Sequence, residues 1–369
     1  MNGAGTGDRN RTGDRTITRP TALRKGDTVG VIAPSWCGPA VFPHRLERGI
    51  GFLESAGYEV VLAQNARGRR GHLSGTAEER VADIHQMFAD PRVKAIISAI
   101  GGNHSCHLLP LLDWDLIRHN PKVFMGFSDA TVLNLAVHAK TGLVTFNGPS
   151  VMNDLAEFPA PLPYTARNMW KVIGEVAPAG TLLPAAEWTE EFLDWGTKDD
   201  LTRPRALQPS PGWTWLKTGA DSASAGGGVV GASARGAVQG PLIGGCLESM
   251  EHLRGTPYWP EMAGAILLFE TSEETPSPAW VDAVLQDYEN MGVFAKIAGL
   301  LVGRPMGYSE EQKGQLRQVL LDRTKGYAFP VVADMDFGHT SPQLTLPIGC
   351  LAEVNSETRQ ISLLEAAVR

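Results

Sequence analysis

Ser128 lies in Gly126-Phe-Ser-Asp-Ala130, after a short apolar run from Val123 to Met125. Beyond it Val132, Leu135, Ala136 and Ala139 recur near the three-and-four spacing of one buried helix face. A strand, a one-residue corner and a helix is how a serine nucleophile is displayed at the end of a parallel sheet. The corner strains the serine backbone, so the residues two positions away must be small, and here they are Gly126 and Ala130. The helix start supplies free N–H groups and a positive dipole end, suited to an oxyanion. Such a serine needs a base to accept its proton, and the base needs a third group to fix its tautomer. His339 and Glu270, each following an apolar run, are candidates for those roles. Backbone N–H groups at Gly102 and Asp129 are candidates for an oxyanion hole, because glycine permits close backbone approach.

Each residue also has a plainer reading. Ser128 suits a helix N-cap, and His339 between Gly338 and Thr340 suits a turn. Glu270 suits a solvated strand end, and Gly101-Gly102-Asn103 a tight strand-to-loop turn. Sequence alone does not bring the three side chains together.

The elements that must position them alternate in type. Strands are predicted at Gly26–Pro34, Tyr58–Leu62, Val93–Ile100, Val123–Met125 and Val144–Phe146. Helices are predicted at Phe42–Ala56, Thr76–Phe88, where Thr76 and Glu79 form a capping box, and around Leu108–Leu112. Unbroken apolar strands alternating with helices predict a doubly wound α/β domain with a parallel sheet. One helix around Tyr164–Ile173 and a loop-like stretch from Pro204 to Gly240 follow, with Ala220–Gly236 read as a flexible insertion. A second organised region begins near Ala237. It has strands at Ala263–Glu270, Ala298–Gly303 and Pro330–Asp334, helices at Pro278–Met291 and Glu310–Leu321, and a closing hairpin over Leu351–Val354 and Gln360–Leu364. Ligands of open α/β sheets bind at the carboxyl ends of strands, and Gly102, Ser128, Glu270 and His339 all follow such ends.

Composition narrows the function classes. The chain has 369 residues, 43% hydrophobic and 20% charged, enough for two cored domains. A formal net charge of −7 without a basic face argues against nucleic-acid binding. No run approaches the roughly 20 apolar residues that span a bilayer, so no membrane partner is expected. The first twenty residues lack an apolar signal core and are read as a disordered tail. Cys37, Cys106, Cys246 and Cys350 lie far apart with no CxxC pair, which points away from zinc and disulfides and towards a cytoplasmic location.

With these motifs in order, the chain resembles the LD-carboxypeptidases, and within them the microcin C immunity (MccF-like) branch. The resemblance rests on Gly26-Asp-Thr-Val-Gly-Val-Ile-Ala-Pro-Ser35, Ile100-Gly-Gly-Asn103, Gly126-Phe-Ser-Asp-Ala-Thr131 and Phe146-Asn-Gly-Pro149. Leu267-Leu-Phe-Glu270, Gly338-His-Thr340 and Leu346-Pro-Ile-Gly349 complete it, over about Gly26 to Leu364. It implies a Ser128-His339-Glu270 triad, an oxyanion hole from the N–H groups of Gly102 and Asp129, no metal or cofactor, and a homodimer. It implies a flavodoxin-like nucleophile domain and a smaller, swivelling, barrel-like α/β domain bringing Glu270 and His339. The expected division is a tail over 1–20, the nucleophile domain over 21–170, a linker with substrate loop and insertion over 171–236, and the C-terminal domain over 237–369.

Substrate residues are expected at Trp195, which sits where the immunity branch stacks a purine, and at Trp188, Asn103 and Glu274. The plainer reading of both tryptophans is that they pack the linker down. Glu274 stands where that branch has a lysine, and the 220–236 insertion is foreign to it, so both depart from the nucleotide-binding pattern. The expected activity is hydrolysis of an amide between an acyl or peptidyl group and a nucleotide-like or amino-acid leaving group. Three alternatives stand beside it: a murein tetrapeptide LD-carboxypeptidase, an acyl-enzyme transferase that forms amides, and a non-catalytic small-molecule binding protein.

Overall fold

The apolar runs of the first 150 residues become parallel strands, largely buried except at the edge strand Glu59–Leu62. A computed structural model describes residues 17–218, 232–234 and 236–369. In chain order the first half comprises β1 (Thr28–Ile32), α1 (Gly38–Val41), α2 (Pro43–Ser55), β2 (Glu59–Leu62), α3 (Ala77–Ala89), β3 (Val93–Ser98), α4 (Trp114–His119), β4 (Val123–Gly126), α5 (Ala130–Thr141) and β5 (Thr145–Asn147). The stretch expected as a helix at Leu108–Leu112 is a 3-10 helix over Ser105–Leu111. Thr76 and Glu79 form the capping box at the start of α3. Helix α5 is buried around nearly its whole circumference, as a helix wedged between two layers must be.

The second half comprises α6 (Pro163–Gly174), β6 (Gly180–Leu182), β7 (Glu187–Trp188), β8 (Gln208–Pro209), β9 (Thr214–Lys217), β10 (Ala232–Ala234), β11 (Ala237–Cys246), α7 (Leu247–Glu251), β12 (Ile266–Glu270), α8 (Pro278–Asn290), β13 (Gly299–Gly303), α9 (Glu310–Thr324), β14 (Val331–Met335), β15 (Leu346–Ile348), β16 (Leu351–Asn355) and β17 (Gln360–Leu363).

Two large sheets result. The first runs β15-β5-β4-β3-β1-β2, parallel except for β15. The second runs β6-β17-β16-β11-β12-β13-β14-β9, with β10 beside β11. Its middle strands β11 to β14 are parallel, while β16, β17, β6 and β9 are antiparallel additions. Long β11 serves both parts: its first half pairs with β16 and its second half with β12.

Several expectations change. Residues of the expected tail are structured from its end: Thr18 bridges to Leu143, and Arg19 pairs with Glu365. The segment expected as linker over 171–236 contributes β6 and β9 to opposite ends of the second sheet. The loop expected over 204–240 therefore contains β8, β9, β10 and the start of β11, with β9 covering the open edge of β14. Residues 220–231 and 235 of the Gly/Ala/Ser-rich insertion lie outside the described residues, while Ala232–Ala234 pairs with β11. Strand β15, from the C-terminal third, completes the first sheet against β5, so the chain crosses between the two layers after His339.

Candidate active site

Strand β4 and helix α5 meet at Ser128, whose φ of 59° lies in the left-handed region. That conformation costs a non-glycine residue roughly 1–2 kcal/mol and persists only where the surroundings enforce it. They do so here. A Cβ on Gly101 would lie 2.8 Å from Ser128 Oγ, and one on Gly126 would lie 2.8 Å from the Ala130 Cβ. Ser128 is not the helix cap; Asp129 holds that position, and its side chain makes no capping bond. The buried Asp129 Oδ2 instead accepts from His104 N at 2.9 Å, Ser105 N at 2.9 Å and Ser105 Oγ at 2.8 Å. The carboxylate thus ties the elbow to the loop after Gly102. Asp129 N lies 3.5 Å from where a Gly101 Cβ would be, beside the Gly101-Gly102 turn.

His339 follows β14, and Glu270 ends β12. His339 Nδ1 lies 2.7 Å from Glu270 Oε2, with Glu270 fully buried. The Phe127 ring packs against the imidazole at 5.0 Å between centroids. The segment leading to His339 is anchored by buried Asp336. Its Oδ1 accepts from Arg304 at 2.9 Å, and its Oδ2 accepts from Trp213 Nε1 at 2.8 Å and Ala185 N at 2.9 Å.

A fourth side chain joins the group. Glu273 Oε2 sits 2.9 Å from His339 Nε2, an ion-pair contact in which the nitrogen makes no well-angled hydrogen bond among the described residues. Burial pushes the imidazole pKa down, but the Glu270 and Glu273 carboxylates outweigh it and hold His339 well above the ordinary 6.5. Burial pushes the Glu273 carboxyl up, yet the adjacent His339 outweighs this and holds it at about 2. Sequence reading missed Glu273, because nothing in Glu273-Glu274 says which of the two turns inward.

Ser128, His339, Gly102 and Glu273 open onto a cleft of about 580 Å³, a size suited to a small molecule. Trp195 lines it. One face of its indole rests on the Arg45 guanidinium at 4.5 Å, with Phe42 edge-on at 5.5 Å and Phe192 tilted at 5.8 Å. Arg45 is itself fixed by bonds to Met152 O, Asn153 O and Asp200. Phe192 is 63% exposed and lines the cleft, a second aromatic surface that sequence reading missed.

Three expected substrate residues are not among those lining the cleft. Trp188 is buried, its ring covered by Arg304 at 4.6 Å and Lys313 at 5.4 Å, so it packs the linker onto the second sheet. Asn103 Oδ1 lies 2.7 Å from His252 Nε2. Glu274 is exposed, and its backbone N donates to Ser272 Oγ at 3.3 Å.

Comparison with known proteins matches these two layers to two sequence profiles. The LD-carboxypeptidase N-terminal domain matches residues 29–148, and the LD-carboxypeptidase C-terminal domain matches residues 239–354. The chain is 31% identical to a probable murein peptide carboxypeptidase of Bacillus subtilis, over 95% of each chain. It is 29% identical to the microcin C7 self-immunity protein MccF of Escherichia coli, over 93% of this chain and 94% of that one. A structure of MccF with aspartyl sulfamoyl adenosine superposes with a TM-score of 0.83 at 28% identity, covering 95% of this chain and all of the other. The two-layer fold, the matched residues and relatives spanning nearly the whole length agree: the chain belongs to the LD-carboxypeptidase family of peptidases.

Proposed function

We propose that the chain is a serine peptidase of MccF-like type, with Ser128 as nucleophile, His339 as base and Glu270 as the group that orients the base. The observation that carries this reading is the strained Ser128 opening into the cleft that His339 lines, with Glu270 bonded to the far nitrogen of the same imidazole. Ser128 Oγ attacks the amide carbonyl, and its proton passes to His339 Nε2. The negative charge that develops on the carbonyl oxygen meets the N–H groups of Gly102 and Asp129 at the positive end of α5. His339 then returns the proton to the leaving nitrogen as the C–N bond breaks. Water, deprotonated by the same imidazole, cleaves the acyl-enzyme ester. Glu270 fixes the tautomer that leaves Nε2 as acceptor and stabilises the imidazolium.

The substrate in this reading is an amide joining an acyl or peptidyl group to a nucleotide-like or amino-acid leaving group. Trp195 and Phe192 supply aromatic surface for a planar leaving group, and base stacking on such a surface is worth about 1–3 kcal/mol. The relatives support both branches, since one is a probable murein peptide carboxypeptidase and another an immunity protein solved with an aminoacyl sulfamoyl nucleoside. The same reading includes a cytoplasmic homodimer, which sedimentation of the purified chain tests for oligomeric state.

Purified protein offered murein tetrapeptide and aspartyl sulfamoyl adenosine, separately and in competition, tests it. Ser128→Ala should fold normally and lose most turnover. Wild-type turnover in Ser128→Ala would overturn the assignment.

A further inference from the structure

Most of the turn that carries Trp195 is open to solvent, but Asp200 is not. Lys198, Asp199 and Leu201 are exposed, whereas Asp200 is 2% exposed. Burying a carboxylate is costly unless it is paired and hydrogen-bonded. Asp200 has three partners. Its Oδ2 accepts from Arg45 at 3.1 Å and from Arg48 at 3.2 Å, and its Oδ1 lies 3.3 Å from His44 Nε2. Its backbone O accepts from Arg48 at 3.1 Å. All three partners sit near the start of α2, where the helix dipole disfavours cations and favours an anion. Asp200 therefore seats the turn on the beginning of that helix.

The same helix start supports Trp195. The indole lies on the Arg45 guanidinium at 4.5 Å, with Phe42 edge-on at 5.5 Å. Arg45 is a fixed post, because its Nε donates to Met152 O at 2.9 Å and a terminal nitrogen donates to Asn153 O at 2.7 Å. Neither of those bonds involves the turn. The turn grips the post at two points: the Trp195 ring on the guanidinium face and the Asp200 carboxylate on a terminal nitrogen. Between the two points the chain is closed on itself. Asp199 N donates to Asp194 O at 3.1 Å, Gly196 N to Asp194 Oδ1 at 2.7 Å, and Leu201 N to Lys198 O at 3.0 Å. A turn tied in this way moves as one piece, so the seat of Asp200 sets where Trp195 lies. The next ion pairs along the segment, Arg203 with Glu191 and Arg205 with Glu157, lie outside it.

We propose, resting on the serine-peptidase reading and its planar leaving group, that Asp200 is a positioning residue that determines leaving-group specificity. Through the two-point grip on Arg45 it holds the Trp195 ring in place to receive a flat base. It touches neither substrate nor triad. A leaving group with a planar ring gains from the grip, and an amino-acid leaving group does not use it. Asp200 thus weighs one of the two leaving-group classes against the other, whatever acyl or peptidyl group is attached.

Calorimetry on Ser128→Ala tests this with two ligands: aspartyl sulfamoyl adenosine, and the same compound with hydrogen in place of adenine. Adding Asp200→Asn should weaken the adenine-bearing ligand at least ten-fold and the other less than two-fold. Adding Trp195→Ala instead should cost the adenine-bearing ligand at least as much. Asp200→Asn on top of Trp195→Ala should then change little, because the carboxylate acts through that ring. Arg45→Lys leaves Asp200 a cation but removes the flat support, so it should also weaken only the adenine-bearing ligand. It serves as the test should Asp200→Asn fail to fold. A loss shared equally by both ligands would mean that the grip merely holds the fold, and overturns the inference. So does a loss that persists in full without Trp195, an unaltered affinity, or binding of neither ligand to Ser128→Ala. Fluorophosphonate labelling of Ser128 in the wild type separates the two readings. Labelling alongside any of these failures leaves the peptidase reading intact, and no labelling overturns both.

Discussion

Gly338 leaves room for the Glu270 carboxylate that lies against His339 Nδ1. A Cβ on Gly338 would lie 2.5 Å from Glu270 Oε2 and 2.5 Å from its Cγ, and the glycine has φ of +103°. Gly338→Ala must therefore move the carboxylate off Nδ1 and strain its own backbone. The expected result is a stability loss of at least about 2 kcal/mol by urea unfolding. In the proposed mechanism kcat should also fall by a factor of about 100 or more, because a mis-set imidazole tautomer costs up to about 10⁴. An unchanged kcat in the folded variant would separate Glu270 from catalysis.

Gly314 is the opposite case. It lies inside α9, and a Cβ there would meet nothing within 4 Å. Gly314→Ala should stabilise the fold by about 0.5–1 kcal/mol with no change in activity, since the glycine serves no contact and loses more backbone freedom on folding. Thermal unfolding of the two glycine variants side by side checks that the Gly338 effect is local.

Asp336 makes a further demand. Its carboxylate is fully buried and paired with Arg304. Arg304→Met would leave that charge without its cation, a change that costs about 3–5 kcal/mol. Asp336→Asn, which keeps an acceptor without the charge, should cost less. Because Asp336 also accepts from Trp213 and Ala185, both variants should loosen the linker over β9 and raise hydrogen exchange there before the first sheet is affected.

What the sequence disclosed follows from how local each constraint is. Gly126, Ser128 and Ala130 are legible because a one-residue corner limits three positions within five residues. Glu270 is legible as a carboxylate ending an unbroken apolar strand, and His339 as a polar residue in the turn that follows another strand. Strand β9 was legible in principle, since Trp213-Thr-Trp-Leu-Lys217 carries aromatic and β-branched residues, but the flanking Pro and Gly concealed it. The crossing of β15 into the first sheet depends on a partner two hundred residues away, and no short pattern records it. Glu273 and Glu274 are chemically identical, and only the turn held by Glu248 and Ser272 decides which one faces the imidazole. Arg45 reads as an ordinary helix cation, and its place under Trp195 exists only once α2 meets the 191–205 loop.

The imidazole between two carboxylates sets opposite pH trends for stability and turnover. His339 is held above its ordinary 6.5, so the stabilisation it gains from its partners is complete below about 6.5 and is lost as pH rises through the folded value. Glu273 is held at about 2 against an ordinary 4.5, so its contribution is complete above about 4.5 and is lost as pH falls towards 2. The stability gap between wild type and Glu273→Gln should therefore be widest between about pH 4.5 and 6.5 and should narrow on both sides. Catalysis by the proposed triad needs the neutral imidazole, so kcat/KM should rise with pH with its midpoint above 6.5, outside the window where the fold gains most. Urea unfolding of both proteins at half-unit pH steps, set against the kcat/KM profile, checks this. A gap independent of pH from 4 to 9 would mean that the Glu273–His339 pair contributes nothing to either.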